Sequence, residues 1–123
     1  DNALAPVDLG AGGPAGGGRS TARDLLRFAD AVRTGALLEV ETTSRATDSR
    51  VETGQGPGGA YGYGFEIQSV NGKRMFGHHG GFPGVSAGFE VFPELGYTVV
   101  ILSNSDMGGQ RVIGPLHGWL TGD

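Results

Sequence analysis

Cysteine is absent from the 123 residues, so disulfides and thiolate metal sites are excluded and no redox compartment is signalled. Positive charge is scarce: nine Lys and Arg stand against thirteen Asp and Glu, for a net charge of −4. The nine are scattered, which removes the basic footprint expected of a nucleic-acid-binding protein. Long hydrophobic runs are missing too. The longest, Tyr97 to Leu102, falls far short of the roughly 20 residues that span a bilayer. Asp1 to Val7 has neither the cationic region nor the apolar stretch of a signal peptide. The length allows one small domain.

Glycine, in contrast, fills 25 of the 123 positions, about three times its usual share of ~7%. It follows no period, so collagen and glycine-repeat solenoids are excluded. It gathers at Gly10 to Gly18, Gly54 to Gly64 and Gly77 to Gly88. A chain that opens on a glycine-rich coil without an initiator Met reads as a piece of something longer.

Local patterns divide the chain. Residues 1–18, with Pro6 and Pro14, read as loop. Ser20 or Thr21 offers an N-cap, with Asp24 in capping-box position relative to Thr21. Leu25, Phe28, Ala29 and Val32 then form an apolar helical stripe, which Gly35 terminates. A weaker helix is expected from Val40 to Ser49, on the surface. After a loop at Gly54 to Gly59, Tyr61, Tyr63, Phe65 and Ile67 alternate with Gly62, Gly64 and Glu66. This period of two predicts a strand with its aromatics on one face. Asn71-Gly72 predicts a type I′ hairpin linking Ile67–Val70 to Lys73–Phe76. A third strand runs from Val85 to Phe92, and Pro93-Glu94-Leu95-Gly96 makes a turn. Tyr97 to Leu102, apolar throughout, predicts a strand buried on both faces. A helix over 107–121 follows, with Val112, Leu116, Trp119 and Leu120 inward and Pro115 kinking it or delaying its start. The fold class is α+β: an antiparallel sheet of about four strands over 60–103, flanked by helices over 20–50 and 107–121.

The segment carrying chemistry is Phe76-Gly77-His78-His79-Gly80-Gly81-Phe82-Pro83-Gly84, expected in an irregular connection after the second strand. Its glycines let a backbone approach a ligand closely. Adjacent histidines on a strand diverge, so at most one looks into a given cleft. Taken alone, such a pair reads as solvated loop residues; the order of the flanking segments argues otherwise. Gly16-Gly17-Gly18-Arg19-Ser20-Thr21-Ala22-Arg23-Asp24-Leu25-Leu26-Arg27-Phe28 resembles a stretch of the class C β-lactamases and their penicillin-binding-protein and esterase relatives. Tyr61 to Phe65, Gly77 to Gly84, and Tyr97 to Asn104 resemble three later segments of that family, in the same order.

The resemblance implies a part of a DD-peptidase/β-lactamase-like fold. It further implies acyl transfer by a serine in a Ser-x-x-Lys motif, assisted by a Tyr-x-Asn motif, with no cofactor or metal. Substrates would be a β-lactam, a peptide or an ester. His78, His79 and Gly80 would stand in the family's third active-site box, and the Gly81 N–H in the oxyanion hole. His79 departs from the more usual Ser or Thr. Members are often periplasmic or secreted.

None of Ser20, Ser44, Ser49, Ser69, Ser86, Ser103 and Ser105 is followed by Lys three residues on, and no Tyr-x-Asn occurs. The chain alone is therefore expected to be inactive. Its partners would be the missing N-terminal part and, through an exposed sheet edge, a second copy. One alternative is a non-catalytic binding module on the same scaffold. Another is a small esterase using Ser86 in Gly84-Val85-Ser86-Ala87-Gly88, although that motif needs a helix after the serine and here leads into a strand. A metal site from His78, His79 and His117 is disfavoured by spacing.

Overall fold

The computed structural model describes residues 12–48 and 50–122. Most of the expected 1–18 loop, and Ser49 at the end of the expected second helix, lie outside the described residues. Helix α1 spans Ala22–Arg33. It starts at Thr21, whose Oγ1 accepts from the Asp24 N–H at 3.1 Å, satisfying one of the orphan donors of the first turn. Gly35, at φ +76°, follows its end. Of the expected stripe, Ala29 and Val32 are buried, while Phe28 lies half out of the core with its ring 5.8 Å from that of Phe89. Helix α2, Val40–Thr47, buries only Thr47.

Among the described residues the sheet has six strands rather than about four, in the order β1(Val51–Glu52), β2(Ala60–Tyr61), β3(Glu66–Val70), β4(Lys73–Phe82), β5(Val85–Phe92), β6(Tyr97–Ser103). Every neighbouring pair is antiparallel. The continuous strand expected from Tyr61 to Ile67 is broken by a turn in which Gly62 N–H donates to the Phe65 carbonyl. Gly62 lies so close to the Ala46 and Asp48 carbonyls at the end of α2 that a Cβ would collide with them. Gly64 takes φ +84°, so Tyr63 leaves the aromatic face and rests under the Arg50 guanidinium. The Asn71-Gly72 hairpin forms as expected, with positive φ at both residues and Val70 opposite Lys73.

A larger departure lies beyond it. Strand β4 does not end at Phe76 but runs on through the glycine-histidine segment to Phe82. Successive residues of β4 and β5 serve opposite faces. Phe76 and Val91 join Ala29, Val32, Ala60 and Ile67 beneath α1. Met75 and Phe92 join Val99, with Leu116 and Leu120 from α3(Gly108–Thr121), on the other face. The result is a sheet between α1 and α3.

Two expectations fail at the far side. Strand β6 was expected to be buried on both faces, yet it closes the sheet as an edge. Only Val99 is buried there, and Tyr97 and Leu102 are exposed. Helix α3 runs through Pro115 and turns Trp119 and Val112 outward, Trp119 to 75% exposure. Both residues line one shallow groove with Tyr97, Val100 and Leu26. Among the described residues no helix is long and apolar enough to cross a membrane.

Candidate active-site wall

The glycine-histidine segment owes its character to a mismatch of strand lengths. Strand β3 pairs with β4 only as far as Glu66 opposite Gly77, whereas β5 pairs with it out to Val85 opposite Phe82. From His78 onward β4 is bonded on one side only. Two tight hairpins set the phase of the ladder, because residues flanking a two-residue turn form a hydrogen-bonded pair and such pairs alternate. Val70 opposite Lys73 and Phe82 opposite Val85 give the same answer. His78, Gly80 and Phe82 direct their backbone groups at β5, and His79 and Gly81 direct theirs out of the open edge.

His78 stands at that edge with 48% of its side chain exposed. Its Nδ1 lies 2.7 Å from the His79 carbonyl. A carbonyl can only accept, so this nitrogen carries the proton. Nε2 meets the Tyr61 hydroxyl at 2.8 Å, and the Tyr61 ring stands edge-on to the imidazole at 88°. Both ring nitrogens are thus held, one by β2 and one by its own strand.

His79 turns to the opposite side. Its Nδ1 lies 2.8 Å from Glu66 Oε2 and its Nε2 lies 2.9 Å from Glu90 Oε1. Two carboxylates can be satisfied at once only by an imidazolium. The hydrogen bond to Glu90 is the largest cause that raises the His79 pKa to about 9; burial opposes it, and Glu66 adds to it. Glu90 itself is fully buried, and its other oxygen meets His117 Nε2 of α3 at 2.8 Å. Burial alone would raise the Glu90 carboxyl pKa. Hydrogen bonds and charge from His79 and His117 outweigh it and hold the pKa below the ordinary value.

Neither Gly80 nor Gly81 has a positive φ. A Cβ on Gly80 would meet nothing within 4 Å, and one on Gly81 only the Val85 carbonyl at 3.7 Å. The fold of this chain does not demand glycine at either place. Gly77 and Gly88 differ: a Cβ at Gly77 would strike the β5 backbone, and at Gly88 it would come 2.6 Å from Ile113 Cδ1.

Ser86 is buried. Its hydroxyl donates to the Ser105 carbonyl at 2.8 Å and accepts from the Gly109 N–H at 2.9 Å, so it ties β5 to the first turn of α3. Asp106 accepts from the Gly84 N–H and caps the β4–β5 turn. Among the described residues no group of three His, Asp or Glu is disposed to hold a metal ion. His117 reaches His79 only through Glu90, and His78 faces elsewhere.

Sequence reading had singled out His78, His79, Gly80 and Gly81. It missed Tyr61, Glu66 and Glu90 as their partners. The available signal was Glu90 itself, an acid flanked by Phe89 and Val91 and sharing a strand face with Phe92.

The sequence matches the family model described as Beta-lactamase over residues 1–119. A search of curated proteins finds no match. Among solved structures, the penicillin-binding protein from Bacillus halodurans superposes with a TM-score of 0.72 at 24% identity, over 80% of this chain and 30% of that one. The octameric penicillin-binding protein homologue from Pyrococcus abyssi gives 0.74 at 22% identity, over 85% and 25%. The D-stereospecific amidohydrolase from Streptomyces sp. gives 0.65 at 29% identity, over 76% and 28%. The chain therefore spans less than a third of the length of each of these three structures. It is a member of the beta-lactamase family.

Proposed function

We propose that this chain is the C-terminal part of a serine hydrolase that cleaves an amide or ester through an acyl-enzyme, and that it supplies one wall of the active site. The carrying observation is the open edge of β4 at His78–Phe82, where glycines unneeded for packing leave room for a ligand beside unpaired backbone groups. In this reading the Gly81 N–H donates to the oxyanion of the tetrahedral intermediate, and Gly80 clears the approach. His78, held upright by Tyr61 and the His79 carbonyl, faces the substrate. The nucleophile and its base come from outside this chain, since no serine here has a lysine three residues on. Family membership and the likeness to an amidohydrolase at 29% identity support an amide substrate, with β-lactam and ester as the other members of the acyl-transfer class.

The test is labelling by a fluorescent penicillin or a fluorophosphonate. The 123-residue chain is expected to remain unlabelled, and the polypeptide encoded by the whole reading frame to be labelled at a serine upstream of Asp1. Removing the Gly81 donor by Gly81→Pro in that polypeptide should slow acylation by roughly 10²–10³-fold, the usual worth of one oxyanion donor. A whole polypeptide that binds such probes without acylation would instead make this a binding module. Labelling at Ser86 would overturn the reading, and the burial and full hydrogen bonding of that hydroxyl weigh against it.

The exposed edge of β6, with Tyr97 and Leu102 outward, supports pairing with the remainder of the polypeptide or with a second copy. One of the solved relatives is octameric. A strict monomer by light scattering at high concentration would remove the second-copy possibility.

A further inference from the structure

Between Gly77 and Gly81 only two side chains project from β4, those of His78 and His79. The β5 ladder holds one edge of this stretch, but on the other edge β3 has stopped pairing at Gly77, so these two side chains are what tie the strand to that side. His78 is about half exposed, whereas His79 is gripped from both sides by Glu66 and Glu90. Glu90 is held in turn by His117. A partly buried row of polar and charged groups closing on the fully buried Glu90 is a poor device for stability alone: desolvation offsets much of the attraction, and an apolar cluster of similar volume often does as well or better. What this row has is a fixed geometry, with both His79 ring nitrogens and both Glu90 oxygens partnered.

The geometry points to Glu90 as a positioning residue of the active site. Through His79 it fixes the edge backbone from which the His79 carbonyl holds His78 and from which the Gly81 N–H projects. This inference deepens the reading of His78–Gly81 as substrate-facing and, for its importance to catalysis, rests on it. The chain of contacts is continuous. Glu90 Oε1 meets His79 Nε2 at 2.9 Å, and the His79 carbonyl meets His78 Nδ1 at 2.7 Å. The charged and titratable groups facing His79 are Glu66 from β3 and Glu90 from β5, with His117 of α3 behind Glu90. His78 lies beside Glu66 at 3.8 Å, and Tyr61 of β2 lies behind His78.

The test is nuclear magnetic resonance of the isotopically labelled 123-residue chain without ligand. It follows the ring nitrogens of His78 and His79 and the amides of Gly80 and Gly81. In Glu90→Gln the His79 pKa should fall from about 9 toward the ordinary 6.5, and the His78 ring should lose its single Nδ1–H tautomer. The Gly80 and Gly81 amides should shift or broaden. His117→Gln, which spares the Glu90–His79 contact, should leave the His78, Gly80 and Gly81 signals close to wild type. A folded Glu90→Gln chain with those signals unchanged would overturn the proposal, as would equal changes in the two variants.

Should Glu90→Gln fail to fold, His79→Gln takes its place, with the same His78 and Gly81 signals expected to move and their constancy again decisive. Because the readout needs no substrate, the outcome is separate from the labelling test. Failure of acylation would sink the active-site reading while leaving the Glu90–His79–His78 coupling measured.

Discussion

The two halves of β4 are built from one continuous strand and have opposite fates. From Lys73 to Gly77 the strand is paired to β3, with Phe76 and Gly77 paired to β5 as well, and its side chains Met75 and Phe76 lie in the two cores. From His78 to Phe82 it is bonded only to β5, its side chains reach solvent or a charged network, and two of its glycines are unneeded by the fold. The lesson is that a sheet can open a backbone edge simply by letting one strand outrun its neighbour. The core-facing half holds the direction of the open half, which, in the proposed reading, offers its outward backbone donors to a ligand.

The sharpest way to break the comparison is to damage the paired half. Phe76→Ala removes a ring packed edge-on to Phe65 at 5.4 Å and should lower stability by about 3–5 kcal/mol, the usual range for a buried aromatic. Urea denaturation followed by circular dichroism would measure it, and a change under about 1 kcal/mol would deny that this half is core.

Acidity tests the charged network that joins the halves. His79 has a raised pKa in the folded chain, so its contribution is complete below the ordinary 6.5 and is lost as pH rises toward about 9. That loss is of order 3 kcal/mol at most. Glu90 has a lowered pKa, so its contribution is present above the ordinary 4.5 and is lost as pH falls below it. Stability should therefore peak between about 4.5 and 6.5 and decline on both sides; a flat profile from pH 6 to 9 would contradict the imidazolium assignment.

Ser86→Ala should cost about 1–3 kcal/mol, since it leaves the Gly109 N–H without its acceptor, and should leave acylation of the whole polypeptide intact. The smallest effect on stability belongs to the unpaired half. Gly80→Ala should be neutral, or stabilising by about 0.4–1 kcal/mol through the unfolded chain, yet slow acylation. A large loss of stability there would show that packing, not ligand clearance, demands the glycine.

Much of the fold was legible because it is written in local chemistry. Thr21 caps α1, Asn71-Gly72 closes a hairpin, and the alternation of Val85, Ala87, Phe89 and Val91 marks β5. The extension of β4 through its glycines was not legible. Glycine has little intrinsic strand preference, and only the long partner β5 holds those residues extended. The Tyr61–Ile67 pattern misled for the converse reason: its alternation is that of a strand, but the approach of the α2 carbonyls bends it at Gly62. Trp119 and β6 read as interior from their apolar character, yet Trp119 is exposed and β6, an edge strand, buries only Val99, because burial depends on neighbours that local pattern cannot name.

For the candidate site the division is similar. The sequence alone singled out the residue types, two histidines in a frame of glycines, and the lack of a Ser-x-x-Lys or Tyr-x-Asn motif. Tertiary structure decided which partners each histidine meets. Register sets Glu90 opposite Gly77 and diagonal to His79, α3 brings His117 to the same carboxylate, and β2 brings Tyr61 to His78. These partners lie 11 to 27 residues away along the chain, and pairing at such separations is set by strand register and helix docking rather than by any local propensity.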